Sequence, residues 1–345
     1  MKKVTSDVLQ FKGTHYDFGV CQGNQLKHSP LLKNREVMYQ RFTQKFTVDA
    51  PHIKHLLNMY APYLIDEIEG LASALDYTEQ QALLHFAGYY ANLKSGCSIT
   101  ASPHYLIRNY DNAPSTYDGR FVFFAPTDSG FASMGPTMQV TGRMDGLNEK
   151  GLCIGYNFVN TKNNGDGFVC NMIGRLLLER CATTDDAIQL LRDIPHKHSF
   201  NYVVLDAAGN PKIIEASPRE IVVREATACT NHFNVLVEEN RYRMEDSLAR
   251  ETVILGAQQQ ALSMKEAFEL MNGIERGVFA TKYGAWDGTL HTAGYMPSER
   301  RAIFALGGNA LPVMIDFEKW LQGERFAVTK LKGELDANEG FGNAE

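Results

Sequence analysis

Gly96-Cys97-Ser98-Ile99-Thr100-Ala101-Ser102-Pro103-His104-Tyr105-Leu106-Ile107-Arg108-Asn109-Tyr110-Asp111 carries both the fold and the chemistry of this chain. Pro103-His104 reads as the turn of a two-residue hairpin between two strand-forming runs, Cys97 to Ser102 and Tyr105 to Tyr110. In that register Cys97 faces Tyr110, Asp111 lies just past the thiol, and Arg108 sits two residues back, within the cross-strand reach of roughly 4.5–8 Å. A proline in the turn favours non-primed turn types, so a one-residue slip is the competing register. The slip also leaves charge beside the sulfur.

Most lone cysteines are small buried hydrophobes. Here the preceding glycine and the charges downstream favour chemistry. Gly96 has no Cβ, so a neighbouring side chain can approach its carbonyl, and strained backbone is tolerated there. Thiol attack on that carbonyl would cut the Gly96–Cys97 bond. The new α-amino group, with an ordinary pKa of about 7.7–8.0, suits a general base near neutral pH. Nucleophile and base would then be one residue, which is the logic of N-terminal nucleophile hydrolases.

With these residues in view, the chain resembles the acyl-coenzyme A:6-aminopenicillanic acid acyltransferase family, and more distantly the choloylglycine hydrolases and penicillin V acylases. Phe11-Lys12-Gly13-Thr14-His15-Tyr16-Asp17-Phe18-Gly19 with Gln22-Gly23 looks like the opening of the acyltransferase propeptide, and Gly96-Cys97 like its processing junction. Arg108-Asn109-Tyr110-Asp111 matches the Arg-Asn-x-Asp of the choloylglycine hydrolases. Asp145-Gly146-Leu147-Asn148-Glu149-Lys150-Gly151-Leu152, running into Gly155-Tyr156-Asn157-Phe158, resembles a segment whose last asparagine lines their active site. Thr230-Asn231 resembles a pair whose asparagine helps form their oxyanion hole. One match departs from the pattern: the hydrolases carry an arginine directly after a serine, whereas Ser247-Leu248-Ala249-Arg250 delays it by two places. Arg250 is the assignment, with Arg241 and Arg243 as rivals.

The resemblance implies an α+β fold, the four-layer αββα sandwich of N-terminal nucleophile hydrolases. It divides the chain into a mainly helical pro-region, 1–96, and a catalytic part, 97–345, packed as one globular unit. It implies a self-cleaving cysteine enzyme acting through a Cys97 thioester on a linear, non-peptide carbon-nitrogen amide. Arg108 would hold the thiolate and Asp111 would orient the amine, while Asn231 and Asn157 would stabilise the oxyanion, Asn157 through side chain or backbone. The acyl group then passes to water or to an amine. No resident cofactor is expected, with acyl-coenzyme A open as a co-substrate, and the partner is a small-molecule amide or acyl donor. Two other readings stay open: an uncut cysteine hydrolase with His232 or His104 as base, and a non-catalytic binding relative of the same fold.

Composition agrees. The 345 residues are 44% hydrophobic and 21% charged, enough apolar content for a large core. A net charge of -6 gives no basic footprint for nucleic acid. No apolar run approaches the roughly 18 residues of a membrane span, and Met1-Lys2-Lys3 leads into no apolar signal segment. The expected location is cytoplasmic, and a homo-oligomer stays open. The six cysteines form no C-x-x-C pair. His196 and His198 read as a polar loop rather than a metal site, and Trp286, Trp320, Tyr283 and Tyr295 as packing.

The first third reads as helical: Tyr16 to Phe46 broken at Pro30, Ile53 to Leu75, and a helix opened by the capping box Thr78-Glu79-Gln80-Gln81. Strands are expected at Tyr105–Tyr110, Phe121–Ala125, Met138–Arg143 and Gly151–Phe158, then at Tyr202–Asp206, Lys212–Glu215, Ile221–Val223 and Ala228–Phe233. The last pair is Leu290–Tyr295 and Arg301–Leu306. Helices are expected at Cys170–Cys181, Ala187–Ile194, Asp246–Gln260 and Ser263–Met271. Antiparallel hairpins and helices in separate blocks argue for α+β layers.

Overall fold

The computed structural model of the chain describes residues 1–43, 48–90, 96–162, 164–241, 244–284 and 288–344. The rival Arg243 and the aromatic Trp286 lie outside them. In order, the chain runs β1 (Lys2–Gly13), α1 (His15–Leu26), α2 (Pro30–Thr43), α3 (Ala50–Tyr60), α4 (Tyr63–Leu75), α5 (Glu79–Phe86), β2 (Cys97–Ala101), β3 (Leu106–Asn112) and β4 (Arg120–Pro126). It continues through β5 (Ser133–Met138), β6 (Gly142–Arg143), β7 (Gly146–Asn148), β8 (Cys153–Phe158), α6 (Cys170–Arg180), α7 (Thr184–Asp193), β9 (Phe200–Leu205), β10 (Lys212–Ala216), β11 (Ile221–Arg224) and β12 (Ala228–Cys229). Then come α8 (Glu245–Gln258), α9 (Met264–Asn272), β13 (Gly288–Met296), β14 (Arg301–Leu306), β15 (Val313–Asp316), α10 (Phe317–Leu321) and β16 (Lys330–Leu335).

Two sheets form. The larger has the order β11-β10-β9-β8-β7-β5-β4-β1-β16, with β6 paired on β5; the smaller has the order β12-β2-β3-β13-β14-β15. Side chains at alternate positions meet between them: Cys97, Ile99, Leu106, Tyr110 and Tyr295 from one, Phe121, Met134, Leu147, Cys153 and Val203 from the other, all buried in one cluster. Helices α6 and α7 cover the outer face of the large sheet, and α8 and α9 that of the small one. The architecture is αββα.

The first 96 residues are not only helical. Strand β1 lies parallel to β4 and antiparallel to β16, so β16 joins the sheet only through β1. Behind it, α1 crosses α4 with almost no gap. A β-carbon on Gly19 would fall 2.1 Å from the Glu67 carbonyl oxygen, and one on Gly70 would fall 2.2 Å from that of Tyr16. Only glycine permits that approach.

Three expectations are corrected. The helix expected over Ile53–Leu75 is two helices, because Pro62 supplies no N–H and the chain turns at Ala61. Met138–Arg143 is not one strand but a turn between the end of β5 and β6: Gln139 and Val140 take positive φ, 58° and 69°, and the Val140 amide donates to Asp118 Oδ2 at 2.7 Å. The strand expected over Ala228–Phe233 stops at Cys229, since the amides beyond it are taken by side chains. Among these, Asn234, Val235 and Leu236 all donate to the Glu215 carboxylate at 2.8–3.2 Å. The capping box forms as expected, with the Gln81 amide on Thr78 Oγ1 and the Thr78 amide on Gln81 Oε1.

Candidate active site

The hairpin brings the first charges to the sulfur. Cys97 pairs with Tyr110 and Ala101 with Leu106, and the Ser102 amide closes the two-residue turn on the Tyr105 carbonyl. Arg108, two places back along β3, therefore points into the inter-sheet space on the same face as Cys97. Its Nη2 donates to Cys97 Sγ at 3.0 Å and to the Tyr156 carbonyl at 2.6 Å. Its Nη1 donates to Asp145 Oδ2 at 2.8 Å and to the Met144 carbonyl at 3.1 Å. Tyr110 and Tyr156 present ring faces to the guanidinium at 5.1 and 4.8 Å.

Arg108 is fully buried. Burial works against its charge, but Cys97 and Asp145 more than offset it, and the group is held cationic. Burial likewise pushes the Asp145 carboxyl up, while His291, Arg108 and Tyr295 together bring it below the usual carboxylate range. Asp145 Oδ2 lies 3.3 Å from His291 Nε2, and Tyr295 donates its hydroxyl to Oδ1. A thiol beside such a cation is biased toward thiolate. Burial raises the pKa of each of the other five cysteines, Cys181 and Cys229 to about 12. None of the cysteines is in a disulfide.

The Cys97 backbone is held at both its amide and its carbonyl. The Cys97 amide donates to Asn231 Oδ1 at 2.9 Å, and the Cys97 carbonyl accepts from Arg250 Nη1 at 2.8 Å. A β-carbon on Gly96 would lie 3.4 Å from Asp111 Oδ2 and 3.8 Å from Asn231 Oδ1, so the missing side chain leaves room for both. Asp111 is buried and accepts from Thr289 Oγ1 at 2.6 Å. Asn231 Oδ1 also receives Arg250 Nη2 at 2.9 Å; two groups that can only donate fix its amide orientation. Asn231 Nδ2 donates to the Phe158 carbonyl at 2.8 Å.

Arg250 is thus at the junction. It reaches there because α8 begins at Glu245, which puts Ser247, Arg250 and Glu251 on one helical face. The rival Arg241 is exposed, with its backbone amide on Asn160.

Asn157 is not among the groups on the thiol. Its Nδ2 donates to the Cys229 carbonyl at 3.0 Å. Its backbone amide faces β9, because Asn157 stands opposite Asn201 in the ladder where Val159 donates to Ser199 two places on. The opposite edge of β8, at Tyr156 and Phe158, is the one that meets Arg108 and Asn231.

Neither histidine considered as a base is at the sulfur. His104 is exposed in the turn, at the far end of the hairpin. The His232 ring lies with Nδ1 2.8 Å from Ser247 Oγ and Nε2 3.1 Å from Glu251 Oε2. Sequence reasoning does not single out Asp145, His291, Ser247 and Thr289, nor Ser98, whose Oγ accepts from Arg250 Nη1 at 2.6 Å. Asp145 opens the segment Asp145–Leu152 and His291 sits inside the strand-forming run Leu290–Tyr295, the signals the sequence offers. Among the described residues, no group of three or more His, Cys, Asp or Glu is placed to hold a metal ion, and no helix is long and apolar enough to cross a membrane.

No curated protein matches this sequence. Solved structures with a similar backbone include a mutant of the conjugated bile acid hydrolase from Clostridium perfringens, 13% identical, with a TM-score of 0.48 over 70% of this chain and 97% of that one. Penicillin V acylase from Agrobacterium tumefaciens is 12% identical, with a TM-score of 0.45 over 65% and 86%. The Caenorhabditis elegans ortholog of N-acylethanolamine-hydrolyzing acid amidase is 12% identical, with a TM-score of 0.39 over 59% and 93%. The profile of the acyl-coenzyme A:6-aminopenicillanic acid acyl-transferase family matches residues 99–311, more than half of the sequence, and the chain belongs to that family.

Proposed function

We propose that this chain is a self-activating cysteine amidohydrolase or acyltransferase. Cys97 Sγ attacks the Gly96 carbonyl, the Cys97 nitrogen leaves as an amine, and water releases residues 1–96 from the resulting thioester. The freed α-amine then serves as base. It takes the thiol proton as Sγ attacks a linear amide and gives it to the departing amine nitrogen, which leaves the acyl group on Cys97 as a thioester. Water or an acceptor amine takes the acyl group and restores the thiol. An acyl-coenzyme A thioester would acylate the same sulfur, with coenzyme A as leaving group.

The observation that carries this reading is the cradle around one residue: Arg108 on the Cys97 sulfur at 3.0 Å, Asn231 on its nitrogen at 2.9 Å and Arg250 on its carbonyl at 2.8 Å. Arg108 stabilises the thiolate, and Asp111 beside Gly96 receives the new ammonium group. The second hydrogen of Asn231 Nδ2 and the Phe158 amide, on the same edge of β8, meet the oxyanion. Removal of one such donor typically slows the chemical step by about 10²–10³-fold.

Intact mass and N-terminal sequence of purified protein, beside Cys97→Ala, test the proposal. Two fragments, the larger beginning Cys-Ser-Ile-Thr, that are absent from the variant would support it. A single uncut wild-type chain that still hydrolyses amides would remove the amine as base, and an uncut chain without acyl chemistry would point to a binding relative.

A further inference from the structure

We propose that Asn201, Ser247 and His232 are positioning residues that hold Asn231 in place from both sides of the sandwich. The inference rests on the reading of Asn231 as a donor at the Cys97 reaction.

Residues beyond Cys229 leave the sheet, so the backbone around Asn231 has no ladder to fix it. Side chains replace the ladder. From the large sheet, the directly opposed pair Asn157 and Asn201 reaches across. Asn157 Nδ2 donates to the Cys229 carbonyl at 3.0 Å, and Asn201 Nδ2 donates to the Thr230 carbonyl at 3.2 Å and the His232 carbonyl at 2.8 Å. The carbonyls on both sides of Asn231 are thereby held. Both asparagines are fully buried, where an unmade amide bond is costly and a made one is strongly directional.

From the other side, α8 takes the remaining backbone group. The Asn231 amide donates to Ser247 Oγ at 2.7 Å, and the Thr230 hydroxyl donates to the Ser247 carbonyl at 3.0 Å. Ser247 Oγ is itself fixed, with His232 Nδ1 at 2.8 Å and Thr230 Oγ1 at 3.0 Å. Glu251 approaches the far ring nitrogen.

Serine, histidine and glutamate in sequence suggest a second catalytic triad, and the geometry argues against one. The Ser247 hydroxyl is buried and already engaged by the Asn231 amide, His232 Nδ1 and Thr230 Oγ1, which ties it to the protein rather than to a substrate. The arrangement is a brace. It fixes the backbone of Asn231 while Arg250 and Phe158 fix its side chain, as a preorganised oxyanion donor requires.

Acylation of the processed enzyme by p-nitrophenyl acetate, followed by stopped flow with mass confirmation at Cys97, tests this with Asn231→Ala as reference. Ser247→Ala and His232→Leu are expected to slow acylation by about 10–100-fold with little change in half-saturation, the scale of a misplaced catalytic group. His232→Asn returns a polar atom near the Nδ1 position and is expected to recover most of that loss, which a mere packing role would not predict. In the Asn231→Ala background, Ser247→Ala should add less than about twofold, because groups that act through one residue are non-additive. Wild-type rates in Ser247→Ala, or an undiminished loss from it without Asn231, would overturn the brace. An Asn231→Ala enzyme as fast as wild type would overturn both the donor role and this inference. Failure of wild-type Cys97 to acylate would overturn the proposed function itself.

Discussion

Arg108 and Arg175 are both fully buried arginines paired with carboxylates, yet they are built for different work. Arg175 has every nitrogen on an acceptor: Nε on Glu179 at 2.8 Å, Nη1 on Glu67 at 2.9 Å and on the Thr141 carbonyl at 2.9 Å, Nη2 on Glu67 at 2.5 Å. Two carboxylates surround one cation, and every nitrogen is engaged. Arg108 meets only one carboxylate, Asp145; its other terminal-nitrogen bonds go to two carbonyls and the Cys97 sulfur, and its Nε has no hydrogen-bond partner among the described residues. Asp145 sits on Nη1, and Nη2 turns to the Cys97 sulfur and the Tyr156 carbonyl. Under the proposed function, the number of anions around a buried arginine separates a rivet from a group that holds a reactive thiol. Arg175 rivets α6 to α4, across the junction between the first 96 residues and the rest.

The comparison is broken most severely by Arg175→Met. It strands the Glu67 and Glu179 charges in the core, and removing one partner of a buried pair typically costs about 3–5 kcal/mol. Chemical denaturation should show a loss of that size, with any fall in activity tracking the unfolded fraction. A variant as stable as wild type would mean that the rivet contributes nothing net.

The two clusters also differ in how far they could be read from the sequence. Cys97, Arg108 and Asp111 were legible because a hairpin is local and its period of two assigns faces without long-range information. Arg250 was legible only loosely, since its relation to Ser247 is the helical spacing of three that puts both on one face of α8 rather than adjacency in sequence. The rivet was invisible: Glu67 and Arg175 are 108 positions apart, and nothing local to either names the other. The same holds for β1, whose partners are β4 and β16, and for Asn201, whose role depends on a loop from the other sheet. Asn157 illustrates the converse: strand alternation turns its amide to β9 and its side chain to the Cys229 carbonyl, while Tyr156 and Phe158 present the edge that meets Arg108 and Asn231.

A sharper and smaller effect is expected from Arg108→Lys. Lysine keeps a positive charge for Asp145, so the core is not left with a stranded anion, and the stability loss should stay below about 2 kcal/mol. A single ammonium cannot span Asp145 and Cys97 Sγ as the planar fork does. Thiol acylation should slow by about 100-fold, equivalent to about 2.7 kcal/mol of barrier. An unchanged rate would detach the sulfur from this cation.

The smallest effect is read in acid. Burial raises the Glu67 carboxyl, but the charge and hydrogen bonds of Arg175 outweigh it and leave the group below its ordinary value. In the unfolded chain a glutamate titrates near pH 4.3. Above that pH both states are ionised and the full benefit of the pair is present. As pH falls below it, the unfolded chain binds the proton first, so stability declines until the folded Glu67 also protonates, with a slope approaching about 1.4 kcal/mol per pH unit. Glu67→Gln removes this proton and leaves Arg175 its bond to Glu179. The variant should be less stable at neutral pH but lose less on going from about pH 4.5 to 3, as seen in urea midpoints across that range. Asp145 is depressed as well and stays in both proteins, so its share of the acid sensitivity cancels in the difference. Parallel pH profiles for wild type and variant would show that Glu67 is not held ionised by Arg175, and the contrast between the two arginines would then lose its electrostatic basis.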